Sequence, residues 1–234
     1  MKKILTIVMF VLPLAASAQQ VEKLQKNVDK GDTKAMRELA AHYEAGFGLP
    51  VDTAKALELY RRADALGNAD ARGDLSRLSI YYSAQGHDST ECYRLAKASA
   101  DAGSPYGTYR LAVCYLDGIG VQRDPQRFRE LNEKAIAMGC DEALSFKGRL
   151  LLFGSTPYPH DVPQAFRCLK KVKGGSCHSQ KYTGLAQYYQ IVGDQQMAVK
   201  NAREAAARGQ VMGEILLARY QNLGYGMEMD EQAA

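Results

Sequence analysis

A glycine returns at an almost fixed interval along this sequence of 234 residues. Its positions are Gly31, Gly67, Gly103, Gly139, Gly175 and Gly209. The first five are 36 residues apart, and the last follows after 34 residues. A recurrence of this length indicates stacked supersecondary units, because one small unit cannot bury its apolar face alone.

Each interval predicts two helices. In the first helix, small and apolar residues recur every four positions and therefore share one face; in the first interval they are Ala35, Leu39 and Tyr43. Asp52 precedes the second helix, where a carboxylate can accept free backbone N–H groups, and Asp124 holds the equivalent place two intervals later. No stretch has convincing strand alternation, so we predict an all-α fold.

Two closely spaced glycines separate the helices in several units. The segment GFGLPVD, residues 46–52, recurs as GIGVQRD and GYGMEMD. A dinucleotide-binding loop would need a preceding strand, a third glycine and a helix that begins at the loop. The pattern has none of these, so we interpret Gly46 and Gly48 as a sharp reversal between antiparallel helices.

The combined pattern A-x3-L-x3-Y-x2-G-x-G-x3-D-x3-A resembles the Sel1-like repeat, a relative of the tetratricopeptide repeat. The resemblance covers units near 31–66, 67–102, 103–138, 139–174 and 175–208, and an incomplete unit at 209–234. Residues 19–30 fit a lone second helix that caps the array. The resemblance implies a right-handed α-solenoid with a 36-residue period that acts as an adaptor for other proteins.

The N-terminus has the layout of a secretory signal peptide. Lys2 and Lys3 precede an apolar stretch that is too short to span a membrane, and small residues follow at 16–18. We therefore expect residues 1–18 to be cleaved and the protein to be periplasmic or secreted, without membrane insertion. Loss of Lys2 and Lys3 would lower the formal net charge from +4 to +2, which argues against nucleic acid as a partner.

The sequence offers no pattern that predicts catalysis. The four histidines match no zinc-protease or triad spacing, and no phosphate loop or nucleophile elbow is present. Cys168, Cys177 and His178 lie near His160, but their spacing differs from that of ordinary zinc sites. We predict no catalytic residue, no metal and no cofactor.

The leading interpretation is a non-catalytic scaffold that binds a peptide or protein partner on its concave face. Two alternatives stay open. Some cysteine-rich proteins of the family are associated with β-lactams, which allows an enzyme that acts on β-lactams or cell-wall material. A structural subunit could instead dock through its C-terminal seam, since the sequence ends at Ala234 where another second helix would begin.

A row of equivalent positions predicts a binding surface. In each first helix, the position six residues after its opening small residue is predicted to point away from the interface between packed helices. This position is occupied by Ala41, Arg77, Val113, Arg149, Gln187 and Arg219. Its three arginines would form a basic floor near Tyr109, which we place off the core face. Because an arginine guanidinium can bind a carboxylate through two parallel hydrogen bonds, an acidic peptide or a C-terminus is the expected ligand. The alternative is that these residues only face water.

Export would permit disulfides among the five cysteines. Cys92 and Cys114 lie eleven residues on either side of Gly103, so they should come level on facing helices, and we predict that they pair. Cys168 and Cys177 flank the turn at Gly175 and form the second predicted pair, which leaves Cys140 free. The alternative is five reduced, buried thiols.

Overall fold

A computed structural model describes residues 19–82, 89–173 and 179–227. Every regular element in these ranges is a helix, as the sequence predicts. The helices are α1 (19–29), α2 (Thr33–Ala45), α3 (Thr53–Ala65), α4 (Ala69–Tyr82), α5 (Ser89–Asp101), α6 (Pro105–Asp117), α7 (Pro125–Ala137), α8 (Asp141–Phe153), α9 (Val162–Lys171), α10 (Ser179–Ile191), α11 (Gln195–Ala207) and α12 (Val211–Asn222). Across the described ranges, no helix is both long and apolar enough to span a membrane.

The helices pack as a row of hairpins. The pairs α2–α3, α4–α5, α6–α7, α8–α9 and α10–α11 are each in extensive contact, and we call each pair a unit. The first helices of the units also contact one another from α4 through α6, α8 and α10 to α12. Equivalent helices approach most closely on the inside of a curved array. The even-numbered helices therefore form the inner layer.

Local signals set the helix ends. The first helices of the first four units begin at equal spacing, at Thr33, Ala69, Pro105 and Asp141. The Asp52 carboxylate accepts from the Lys55 amide at 3.0 Å, and Asp124 accepts from the amides of the two residues at 126 and 127. The predicted capping by these two aspartates is confirmed.

The double glycines turn the chain as expected. Gly46 and Gly48 have φ values of 69° and 75°, in the left-handed region where a side chain is strained. The Gly46 amide donates to the carbonyl of His42, which ends α2. The Asp52 amide donates back to the carbonyl of Tyr43 at 2.9 Å and closes the loop. This segment is a reversal between helices.

The apolar core is segmented along the array. One buried cluster joins Leu24 and Val28 of α1 to Met36 and Leu39 of α2. Other clusters lie between α6 and α10 and between α10 and α12. Each unit thus buries its apolar face mainly against its neighbours, as expected of a solenoid. Leu24 and Val28 are buried against the first unit, as expected if residues 19–30 cap the array.

Candidate functional site

A cavity of about 1080 Å³ lies on the inner layer, and we call it the inner cavity. Every first helix contributes to its wall, including Arg77 of α4, Arg110 of α6, Glu142 of α8 and Gln180 of α10. The first helices therefore line the inner cavity.

The two ends of the array meet at the rim of the inner cavity. A side chain added at Gly209, in the turn before α12, would meet the Phe47 ring at 3.5 Å. Val211, Met212 and Ile215 of α12 line the inner cavity and are exposed. The array therefore curls far enough to bring an apolar segment of its last helix near its first unit.

Ion pairs between units hold two arginines of the inner cavity. Arg37 donates to Asp74 at 2.5 Å, and its guanidinium lies 3.4 Å from Asp70. Arg77 forms a bidentate pair with Glu44, at 2.5 and 2.7 Å. Burial opposes the charge of Arg77, but its hydrogen bonds to Glu44 keep the pKa well above the ordinary value. Both arginines are thus matched by carboxylates of the same wall.

Aromatic rings form the floor between these ion pairs. The rings of Tyr106 and Tyr109 lie 6.1 Å apart, and Arg37 sits 4.7 Å from the centre of the Tyr106 ring. Burial raises the pKa of Tyr109 to about 12, and burial also raises the pKa of Tyr106. Neither phenol ionises near neutral pH, so both side chains are neutral parts of the cavity wall.

The placement of Tyr109 off the core face is wrong. This residue is only 7% exposed and packs against Val113, Ala143 and the edge of Phe146, with the Tyr109 and Phe146 ring centres 5.9 Å apart. It reaches the inner cavity only as part of its wall. The reason is that α8 packs against α6 and covers this side of the helix.

The continuous basic row does not form. Arg77 lines the inner cavity together with Tyr109, but Val113 is buried in the core. The Arg149 guanidinium sits 5.4 Å from the centre of the Phe146 ring, and Arg219 is exposed near the end of α12. Neither of these two arginines is among the lining residues. A binding role for the four predicted residues stays a proposal.

The inner cavity is also lined by residues that the sequence pattern does not predict to be functional. Among them are Arg37, Asp74, Tyr106 and Arg110. One available signal was Arg110 itself, a single cation between apolar residues in the stretch YRLAVCYL. Ionised arginine is rarely buried unless it is paired, so such a position suggests a specific partner.

Cys92 and Cys114 do come level on facing helices, as predicted. Their sulfurs lie 3.9 Å apart, and both side chains are buried free thiols. A hydrogen bond from the Cys114 thiol lowers the pKa of Cys92 to about 6, and the same bond raises the pKa of Cys114. The covalent bond between them stays a prediction.

The other cysteines leave the second pairing open. Cys140 and Cys168 are buried free thiols, and burial raises the pKa of each. Cys177 and His178 fall outside the described residues, so the Cys168–Cys177 pairing stays a prediction. Within the described part of the chain, no group of three His, Cys, Asp or Glu side chains could hold a metal ion.

Comparisons with known proteins agree with this architecture. The Sel1 repeat profile matches residues 33–68, 105–140 and 142–171. A Sel1 repeat protein from Oxalobacter formigenes is 21% identical over 82% of this chain and 76% of its own, with a TM-score of 0.52. A Sel1 repeat protein from Klebsiella pneumoniae is also 21% identical, over 85% of this chain and 98% of its own, with a TM-score of 0.56. Curated protein sequences yield no match.

Stacked hairpins around an inner cavity define an α-solenoid protein. More narrowly, the chain contains Sel1 repeats, which the family profile matches in three of its units. Proteins of this family are mostly non-catalytic and generally mediate protein–protein interaction.

Proposed function

We propose that this protein is an exported, non-catalytic scaffold that binds a segment of a partner protein in the inner cavity. The observation that carries the proposal is the wall of that cavity, to which all six first helices contribute. Its volume of about 1080 Å³ is slightly above the usual range for small-ligand sites, roughly 300–1,000 Å³, so it has room for a short peptide segment. Ion pairs, tyrosine rings and an apolar segment of α12 together suit a peptide with mixed side chains.

The signal-peptide layout of residues 1–18 supports the export step of this proposal. Cell fractionation should find the protein in the periplasm or the medium, with a mature N-terminus near Gln19. Recovery of the uncleaved chain from the cytoplasm would contradict this part of the proposal, and it would leave the binding site unaffected.

Photo-crosslinking tests the binding surface. A benzoylphenylalanine is placed at Ala41 of α2 or at Ile215 of α12, which both line the inner cavity. A matched control carries it at Glu130, an exposed position on α7. We expect both cavity positions to crosslink the same partner, identified by mass spectrometry, and the control to crosslink none of it. Crosslinking from Glu130 alone would place the partner on the outer surface.

A further inference from the structure

Arg110 differs from the other arginines of the inner cavity. It is only 8% exposed, and its Nε is buried without a hydrogen-bond partner. Among the described residues, no carboxylate lies within salt-bridge distance of it, whereas Arg37 and Arg77 each have two. Arg110 nevertheless lines the inner cavity.

Within the described ranges, no neighbour satisfies the Arg110 guanidinium directly. Asp74 is shared between Arg37 and Arg77, and the Tyr106 and Tyr109 rings beside Arg110 are neutral. Cys92 and Asp117 attract the Arg110 charge electrostatically, but neither forms a hydrogen bond or an ion pair with it. A buried guanidinium with an unsatisfied N–H group is unfavourable in the unliganded protein, because burial removes its hydration.

The charges on the wall of the inner cavity indicate what charge a bound ligand would carry. Its wall carries five Lys or Arg and four Asp or Glu side chains. The net charge of the wall is therefore +1, and Arg110 is its buried cation without a carboxylate within salt-bridge distance. One negative charge would balance it, whereas a dianion such as phosphate would face repulsion from the four carboxylates.

We propose that Arg110 anchors the C-terminal carboxylate of the partner segment; this rests on the function proposed above. The guanidinium can hold a carboxylate with two parallel hydrogen bonds. The Gly209 turn lies close to the Phe47 ring at the rim, which favours a chain end that only has to enter over a segment that would also have to pass out again. The tyrosine rings and the exposed apolar side chains of α12 then contact the last residues of the partner.

Three acetylated tetrapeptides of the sequence Ala-Tyr-Leu-Val serve as probes for the full chain. The first has a free carboxyl end, the second is amidated, and the third is amidated with Glu in place of Val. Binding is followed by calorimetry and by the Nε–Hε resonance of Arg110. We expect that resonance to shift with the first probe, and we expect the other two probes to bind at least ten-fold more weakly. Equal binding of either amidated probe, or no shift with the first, would overturn the proposal.

Variants separate anchoring from a structural role. Arg110→Gln should weaken binding of the first probe at least ten-fold. Arg110→Lys should weaken it less, because lysine keeps the positive charge but cannot form two parallel hydrogen bonds. The matched control is Arg61→Gln, an exposed arginine on α3, which should bind as the wild type does. Because Arg110→Gln removes a buried charge whose Nε has no hydrogen-bond partner, its Tm should equal or exceed that of the wild type. A markedly lower Tm would indicate a structural role and contradict the proposal.

The two proposals can fail separately. If Arg110→Gln still crosslinks the partner from Ala41 with wild-type efficiency, the inner cavity binds the partner and Arg110 is not its anchor. If the wild-type protein crosslinks nothing from Ala41 and Ile215 while the first probe shifts the Arg110 resonance, the carboxylate site exists and the proposed partner function fails.

Discussion

At the scale of single residues, burial determines how much an ion pair contributes to stability. Arg77–Glu44 and Arg94–Glu91 have nearly the same bidentate geometry, with short distances of 2.5 to 2.7 Å. The side chains of the first pair are 28% and 21% exposed, and those of the second are 64% and 37% exposed. Water screens the second pair and competes with it, so most of its attraction is lost. The first pair also links two units.

Glu44→Gln should therefore destabilise the protein by about 2 kcal/mol, because it leaves a partly buried guanidinium without its carboxylate. Glu91→Gln is the matched control and should leave the urea midpoint nearly unchanged. Urea unfolding of both variants, followed by circular dichroism, measures the difference. Equal losses in the two variants would show that burial does not distinguish these pairs.

The Cys92–Cys114 pair gives a second prediction at this scale. Diamide, which takes up two hydrogens, should convert the two thiols into a disulfide, because sulfurs 3.9 Å apart need only a small approach to the bonding distance of about 2.05 Å. Non-reducing peptide mapping should find Cys92 linked to Cys114, and the bond should add roughly 3 kcal/mol of stability. Cys114→Ser is the control that removes the link. Mapping that leaves Cys140 protected and another thiol alkylatable would contradict this pairing.

At the scale of helices, the sequence predicts boundaries well because the signals are local. Asp52 and Asp124 cap the helices that follow them, and the four-residue spacing of apolar positions defines each inner face. The contacts that line the inner cavity, in contrast, join residues that are far apart in the sequence. The Arg77–Glu44 pair joins positions 33 residues apart, and the Arg37–Asp74 pair joins positions 37 apart. Periodicity predicts which side chains point away from the interface between packed helices. The packing of neighbouring units decides whether such a side chain reaches the inner cavity.

Packing between α5 and α6 shows how close two helices can come. A Cβ added at Gly107 would overlap the Ser99 side chain and lie 2.7 Å from the Ser99 carbonyl carbon. Equivalent positions in other units hold alanine, such as Ala71 and Ala143, which are buried. The α5–α6 contact is therefore tighter than a methyl group permits.

Gly107→Ala should destabilise the protein by roughly 1–3 kcal/mol, because backbone atoms of α5 would have to move. Helix propensity alone predicts the opposite sign, a gain of up to about 1 kcal/mol. Ala71→Gly is the comparison at the equivalent position, where the loss of a methyl group costs about 1 kcal/mol without forcing helices apart. Thermal unfolding of both variants gives the sign. A stabilised Gly107→Ala protein would show that α5 and α6 are not in tight contact.

At the scale of the whole molecule, curvature creates the cavity, and no single unit encodes it. The sequence predicts the hairpins and their order from local pattern. It does not predict that the Gly209 turn meets Phe47, since that contact depends on small rotations accumulated over every unit. It also does not identify Arg110 as the cavity's buried cation without a carboxylate partner, because its surroundings include residues of another unit, such as Cys92.

Phe47→Ala tests whether this contact holds the ends of the array together. Each unit is stabilised mainly by its neighbours, so loss of a ring that joins the two ends should leave the Tm nearly unchanged. The ends should separate, and small-angle X-ray scattering should report a larger radius of gyration and longer maximum dimension. Phe153→Ala is the matched control, a 59% exposed phenylalanine at the end of α8, and its scattering should equal that of the wild type. If Phe47→Ala also scatters like the wild type, packing within the units alone sets the curvature, and the contact with the Gly209 turn follows from it.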